Sequence, residues 1–458
     1  MNRLLAIICR FALLFACFTL MLPAFSRDGG DWAKTLTGPG DSAVVLMTSA
    51  GDDGVAILGT SKDDNNFDDM YLVKLDASGN MVWQRFFHLE HYKWFHQLIQ
   101  TADKGFVVVG GVDTSATFSE GVIIKFKPDG QIEWQQMLSG ALDESLNGVA
   151  EDAAGNLIAV GASSSSTFKK KETSAIIAKF DKQGKLLWQK QYGGDKLSQF
   201  WRVSIDADGY ALAGNAYAGN AIGPDIWLVK TREDGAILWQ KSYGGGKAES
   251  VVSFDKTHDG GYILADRSYS FHSNPRRSDV WLFKFDRSGD IVWHKLINNG
   301  DKETEFPSVI EQPDGNLLVS VISYFKSPKS GNDIHTCVLG LDASGDLRWQ
   351  KRLNTRAGEQ SAHEGQSLSA LPASQFAVAT ISLSYNESNN FDVLLASLSE
   401  ARMKSAPDTD FRQSSPNLIA GTTKAKFKAA TLKTAPADYA AIDRRFREKD
   451  VSGLALGR

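Results

Sequence analysis

Short β-branched and aromatic runs, separated by Asp-Gly and Ser-Gly turn signals, recur along most of this chain. One stretch shows the pattern clearly. Ser250-Val251-Val252-Ser253-Phe254 reads as a strand, and Thr257-His258-Asp259-Gly260-Gly261 as a turn. Tyr262-Ile263-Leu264-Ala265 is a second strand, and Asp279 to Asp286 a third after a polar loop. Arg287-Ser288-Gly289-Asp290 then turns the chain into a fourth, Ile291-Val292-Trp293-His294-Lys295-Leu296. Short apolar runs bounded by such turns are the signature of antiparallel hairpins. No helical periodicity lies between them.

The unit repeats. Trp32, Trp83, Trp134, Trp188, Trp239, Trp293 and Trp349 follow one another at steps of 51, 51, 54, 51, 54 and 56 residues. Gly79, Gly130, Gly184, Gly235, Gly289 and Gly345 each stand four residues before the Trp of their own unit. A period of this length means one supersecondary unit copied many times. Four antiparallel strands cannot bury both faces alone, so the copies must pack face to face, and a radial arrangement leaves few exposed edges. The expected fold is all-β, a seven-bladed β-propeller of four-stranded antiparallel blades. The last copy has strands near 366–371, 376–383 and 391–398 but no Gly-x-x-x-Trp strand, which Asp31 to Leu36 can supply. The N-terminal strand is thus expected to close the last blade, making 27–400 one domain. The glycine should set the turn between third and fourth strands. The Trp should lie between blades, where burying ~200 Å² is worth about 5 kcal/mol as an upper estimate.

The ends differ from this body. Residues 1–26 read as a secretory signal peptide: Arg3 and Arg10, an apolar stretch from Phe11 to Leu22, then Ala24-Phe25-Ser26 as a small-x-small cleavage site. The apolar run is short for an uncleaved membrane anchor. Leu14-Phe15-Ala16-Cys17 faintly resembles a lipobox, but the run continues past Cys17. The mature chain is therefore expected to be exported, periplasmic or secreted, without a transmembrane span and monomeric. It would keep only Cys337, in an apolar strand, so an intrachain disulfide is excluded and stability must come from packing. Residues 401–458 hold 12 Lys and Arg against 6 Asp and Glu, whereas 27–400 hold 36 against 48. A basic, flexible extension with a short helix at 436–447 is expected there. It could rest on the acidic body or on an anionic surface. An acidic, exported body argues against nucleic acid as a partner.

Lys74-Leu75-Asp76-Ala77-Ser78-Gly79-Asn80-Met81-Val82-Trp83 and Gly340-Leu341-Asp342-Ala343-Ser344-Gly345-Asp346-Leu347-Arg348-Trp349 resemble the repeat of quinoprotein-like (PQQ-like) propellers, as found in bacterial secreted proteins. The resemblance covers essentially all of 27–400 and implies a fold more than a function. Lys127 and Arg232 replace the Asp in two copies. The family's quinone enzymes usually have eight blades and often an adjacent cysteine pair; neither pattern is present here.

Candidate chemistry sits where the repeat is irregular. Propeller ligands usually meet the second-to-third strand loops, the inter-blade loops or the channel mouth. Asp63, Asp64 and Asp68 are dense oxygen donors without EF-hand order, and His88 and His91 with Glu90 could offer ligands to zinc. No cofactor is expected beyond such a divalent cation. Asp41, Glu144, Glu249, Glu305 and Glu364 recur where innermost strands begin, so carboxylates would ring one channel mouth and attract a cation or basic partner. Lys74, Lys125, Lys179, Lys230 and Lys284 each stand nine residues before a repeat Trp. Scaffold pairs with Asp69, Glu120, Asp225 or Asp279 on the same strands are expected of them. No nucleophile elbow, phosphate loop, His-Glu-x-x-His or Cys-x-x-Cys is present. The expected function is an exported, non-catalytic module binding a protein or small ligand, with a hydrolase, lyase or quinoprotein-type oxidoreductase at the channel mouth as the alternative.

Overall fold

The computed structural model describes residues 32–37, 42–51, 54–62, 68–87, 93–113, 118–140, 142–165, 173–193, 196–217, 222–272, 274, 277–299, 303–327, 331–353, 368–371, 375–382 and 392–399, together with six short strands between 412 and 450. Seven antiparallel four-stranded blades form a ring. Blades 1 to 6 occupy 42–87, 93–139, 144–193, 198–244, 249–298 and 304–353. Blade 7 combines Leu368–Leu371, Gln375–Ser382 and Asp392–Ser399 with the N-terminal strand Trp32–Thr37. That strand pairs Trp32 with Ser397 and Leu36 with Val393, so the two ends of the repeat close one blade. First strands of neighbouring blades contact one another and line the axis.

The core lies in the seams. Seven apolar clusters each join residues of two neighbouring blades. One joins Leu36 and Leu395 of blade 7 to Ile57 and Val73 of blade 1, and so closes the circle.

The repeat Trp side chains stitch the same seams. Each turn glycine has φ between 76° and 83°, a left-handed conformation that an L side chain adopts only under strain. A Cβ on Gly289 would also come within 2.5 Å of Trp239 of blade 4, so the indole lies flat on the next blade's turn. Trp32, Trp83, Trp134 and Trp293 meet Gly79, Gly130, Gly184 and Gly345 in the same way, whereas at Gly235 the Tyr192 hydroxyl comes closer than Trp188. Indole N–H groups donate across the seam: Trp32 to Ala77 O at 2.9 Å, Trp134 to Lys182 O at 3.0 Å, Trp293 to Ala343 O at 3.2 Å. Trp349 alone of the seven is fully buried; the other six are half-buried, so the full-burial energy overstates them.

The turn Asp explains its own replacements. Asp76 Oδ1 accepts the amides of Ser78 and Asn80 at 2.9 and 2.8 Å, and Asp286 repeats this with Ser288 and Asp290. Where Lys127 and Arg232 stand instead, the acid two residues on, Asp129 or Asp234, accepts the amide of Gln131 or Ala236. An acceptor is kept inside each turn.

The recurrent lysines pair elsewhere than expected. Lys125 meets Asp103 at 2.8 Å, Lys179 meets Asp152 at 2.9 Å, Lys230 meets Asp208 at 2.7 Å and Lys284 meets Asp259 at 3.0 Å. These acids follow the first strand of each blade. An acid five residues back on the lysine's own strand lies ~16 Å away and, at odd spacing, on the opposite face. The nine-residue interval is itself structural, because it makes Lys and Trp direct cross-strand partners, as in Lys284 with Trp293.

The C-terminal segment meets the ring as strands. Arg412–Ser414 pairs with the outer strand of blade 5, Ile419–Gly421 with blade 4, Lys426–Ala429 with blade 3 and Lys433–Ala435 with blade 2. Ala441–Ile442 then pairs with blade 1, and Arg447–Asp450 with the N-terminal strand in blade 7. The segment thus runs round the ring against blade order, covering six outer edges that would otherwise present unpaired backbone groups. No helix occurs among the described residues.

Candidate functional site

A β-bulge interrupts the first strand of blades 1 to 6. The register slips between Val44 and Leu46, Phe95 and Gln97, Leu146 and Gly148, Phe200 and Arg202, Val251 and Ser253, and Glu305 and Ser308. A bulge leaves one residue unpaired and re-aims its side chain. Opposite the bulges of blades 2, 3 and 4 stand Gly110, Gly161 and Gly214, whose absent Cβ admits the carbonyls of Trp94, Ser145 and Gln199 within 2.1 Å of where it would lie. The bulged residues there are His96, Asn147 and Trp201.

These three bulges surround a pocket of about 290 Å³ on the rim that carries the second-to-third strand loops. Trp94 and His96 come from blade 2, Glu144, Ser145 and Asn147 from blade 3, and Gln199 and Trp201 from blade 4. The His96 and Trp201 rings meet edge to face at 5.5 Å. Trp94 lies against Gly111, where any Cβ would strike the indole at 2.4 Å.

Beneath the wall, Asn147 donates to Phe200 O at 2.9 Å. Arg202 donates to Asn147 O at 3.1 Å and Trp201 O at 2.8 Å, tying the bulges of blades 3 and 4 together. Burial pulls the Arg202 guanidinium down to about 10. Burial first, and the Arg202 charge second, push His96 down to about 4. Its imidazole is therefore neutral at physiological pH, with one donor and one acceptor nitrogen. Glu144 is 1 % exposed, and burial raises its carboxyl against the hydroxyls of Ser165 and Ser163. Ser163 donates to its Oε1 at 3.0 Å, while Oε2 has no partner.

The expected ring of carboxylates is placed as follows. Glu144 and Glu249 occupy the same register, opposite Ser163 and Ser268, and both are buried. The matching residue in blade 6 is Thr304, not Glu305. Glu305 lies one position on and meets Arg267 at 3.2 Å. Asp41 and Glu364 lie outside the described residues, as do Asp63, Asp64, His88 and His91; Asp68 is described only as the backbone start of its strand. Among the described residues no group of three or more His, Cys, Asp or Glu is placed to hold a metal ion, and no helix is long and apolar enough to cross a membrane.

No motif in the sequence marks Trp94, His96, Gln199 or Trp201 as site residues. Their signal was present: of eleven tryptophans, four stand off the repeat, namely Trp94, Trp201, Trp227 and Trp281. Trp227 and Trp281 are wholly buried, with Nε1 bonded to Gln240 and His294. The other two are the pocket's indoles.

Across this architecture, the protein is a seven-bladed β-propeller with a rim pocket where three blades meet. No family model matches the chain, and no curated protein matches it. Solved structures resemble it in shape. A protein of unknown function from Dyadobacter fermentans DSM 18053 aligns with TM-score 0.42 and 10 % identity, over 81 % of this chain and 99 % of that one. A xylan beta-1,4-xylosidase from Bacillus halodurans C-125 aligns with TM-score 0.33 and 10 % identity, over 90 % and 99 %. Neither likeness carries an argument about activity.

Proposed function

We propose that this chain is an exported, non-catalytic propeller that binds a small ligand in the rim pocket of blades 2 to 4. The supporting observation is the pocket's departure from the repeat. Three equivalent bulges carry His96, Asn147 and Trp201 there, whereas the equivalent bulges of blades 1 and 5 carry Val45 and Val252. A concave site with aromatic walls and a few converging polar groups is the usual form of a ligand site. Basic residues do not line it, and Arg202 behind it is held by backbone carbonyls.

The enzyme alternative would draw on carboxyls whose proton affinity burial has raised, chiefly Glu249 and Asp266 in blade 5. Both are buried away from the pocket, at 2 % and 0 % exposure. Glu144 is the only such group at its wall.

Native mass spectrometry separates the readings. The full chain, incubated with a mixture of small polar metabolites, is expected to retain an adduct of unchanged ligand mass that Trp201→Ala loses. An adduct that Trp201→Ala keeps, or a ligand whose mass changes during incubation, would contradict the proposal.

A further inference from the structure

We infer that the pocket's ligand is a neutral saccharide, an inference that rests on the pocket being the ligand site. Charge narrows the field first. An anion would meet Asp143 and Glu144 with no basic side chain in the lining. A cation would be drawn to those carboxyls but repelled by the Arg202 guanidinium, which lies behind the wall on the carbonyls of Asn147 and Trp201; burial first, and that charge second, keep His96 uncharged. Asp143 is partly committed, since its Oδ1 accepts the Ser119 amide at 2.9 Å and hydroxyl at 3.2 Å. A neutral molecule meets neither penalty.

The hydrogen-bonding groups narrow it further. The Gln199 amide and the neutral His96 imidazole make no hydrogen bond among the described residues, and each can both donate and accept. Ser164 and Thr173 share one hydrogen bond at 3.2 Å, leaving each hydroxyl further capacity. In the wall itself, Trp201 Nε1 and Glu144 Oε2 are a buried donor and a buried acceptor without partners among the described residues. Such orphaned groups are rare in native proteins and call for an explanation. A sugar hydroxyl donates and accepts at one atom, so a set of mixed donors and acceptors fits a polyol.

Shape completes the argument. Trp94 and Trp201, held by Gly111 and by the His96 edge, present rigid aromatic surface to the apolar C–H faces of a pyranose. At about 290 Å³ the space lies near the lower limit of ligand pockets, ~300 Å³, which suits a monosaccharide or disaccharide unit.

Calorimetric titration of the full chain with glucose, galactose, xylose and their β-linked disaccharides tests this, with tetramethylammonium chloride and inorganic phosphate as contrasts. At least one sugar is expected to bind. Trp201→Ala and Gln199→Ala should each weaken it tenfold or more, Trp201→Phe should retain part of the affinity, and Val252→Ala in blade 5 should leave it unchanged. Thermal unfolding of each variant establishes that it is folded. If tetramethylammonium or phosphate binds with this same dependence on Trp201 and no sugar does, the pocket is a ligand site and the saccharide inference is wrong. If sugar binds equally to wild type, Trp201→Ala and Gln199→Ala, the pocket is not its site. If no probe binds, the saccharide inference fails.

Discussion

Asp266 is the residue that breaks the scaffold's rule most sharply. Blades 1 to 4 place Gly59, Gly110, Gly161 and Gly214 opposite the bulge, and blade 5 places a carboxylate there, wholly buried and facing Val251. Among the described residues neither oxygen makes a well-formed hydrogen bond, and the nearby Ser250 amide favours the charged form only in part. Burial, then the neighbouring Glu249, raises Asp266 well above the ordinary carboxylate range, while Arg267 lowers it in part. Burial also raises Glu249 to about 7, and Asp225 and Asp279 to about 6, with His272 beside Asp279 acting in the opposite sense. An acid whose folded pKa is raised holds its proton in the native state after the unfolded chain has released it. For Glu249 the stability so contributed is complete below about pH 4 and is lost as pH rises through about 7, and Asp266 acts in the same direction. Asp266→Asn should flatten this slope and stabilise the ring by about 1–3 kcal/mol at pH 8. Urea unfolding at pH 5 and pH 8 measures it; equal destabilisation of the variant at both values would show that the charge is compensated.

At the scale of elements, the turn glycine and the preceding blade's Trp behave as one joint. Trp239→Ala should cost about 2–4 kcal/mol, discounted for half-burial, and Gly289→Ala about 1–3 kcal/mol through its positive φ and the indole beneath it. Because they share one contact, the double variant should fall short of the sum by about 1 kcal/mol, whereas Trp239→Ala with Gly184→Ala should be additive. Additivity in both pairs would mean that the stacking contributes nothing. This joint was legible in the sequence because each blade needs it, and a shared need leaves a period. The tail carried a period too. Phe411, Leu418, Ala425, Leu432, Tyr439 and Phe446 stand at steps of seven, among Lys, Ala, Ser and Thr that otherwise suggest a flexible chain. The step matches the strands themselves, which begin at 412, 419, 426 and 433 and pair with one blade each. Nothing local specifies those strands; their pairing partners are the edges of the folded ring. A chain ending at residue 400 should lose about 3 kcal/mol, roughly 4 °C in Tm at this size. Its outer strands should also exchange amide hydrogens faster, and unchanged Tm and exchange would remove the tail from the ring's support.

At the scale of the whole molecule, the repeat and the site obey opposite logics. Trp32 at one end and the incomplete copy at the other foretold the closed blade, since a ring must supply every seam with both faces. The pocket has no such copy. It depends on what blades 2, 3 and 4 do differently at a shared bulge, and without the register His96, Asn147 and Trp201 are scattered among hundreds of positions. Two of the carboxylates marked from the sequence share one scaffold arrangement, Glu144 and Glu249 each receiving a serine hydroxyl from the neighbouring strand, and of these Glu144 also reaches the pocket wall. The pocket is built by residues that escape the repeat, the off-beat Trp94 and Trp201 above all. Hydrogen–deuterium exchange of the full chain, with and without the ligand recovered by native mass spectrometry, tests the central claim most directly. Protection confined to 94–97, 143–147 and 199–202 is the predicted result. Protection centred on blades 5 and 6, or on the rim opposite the pocket, would contradict it.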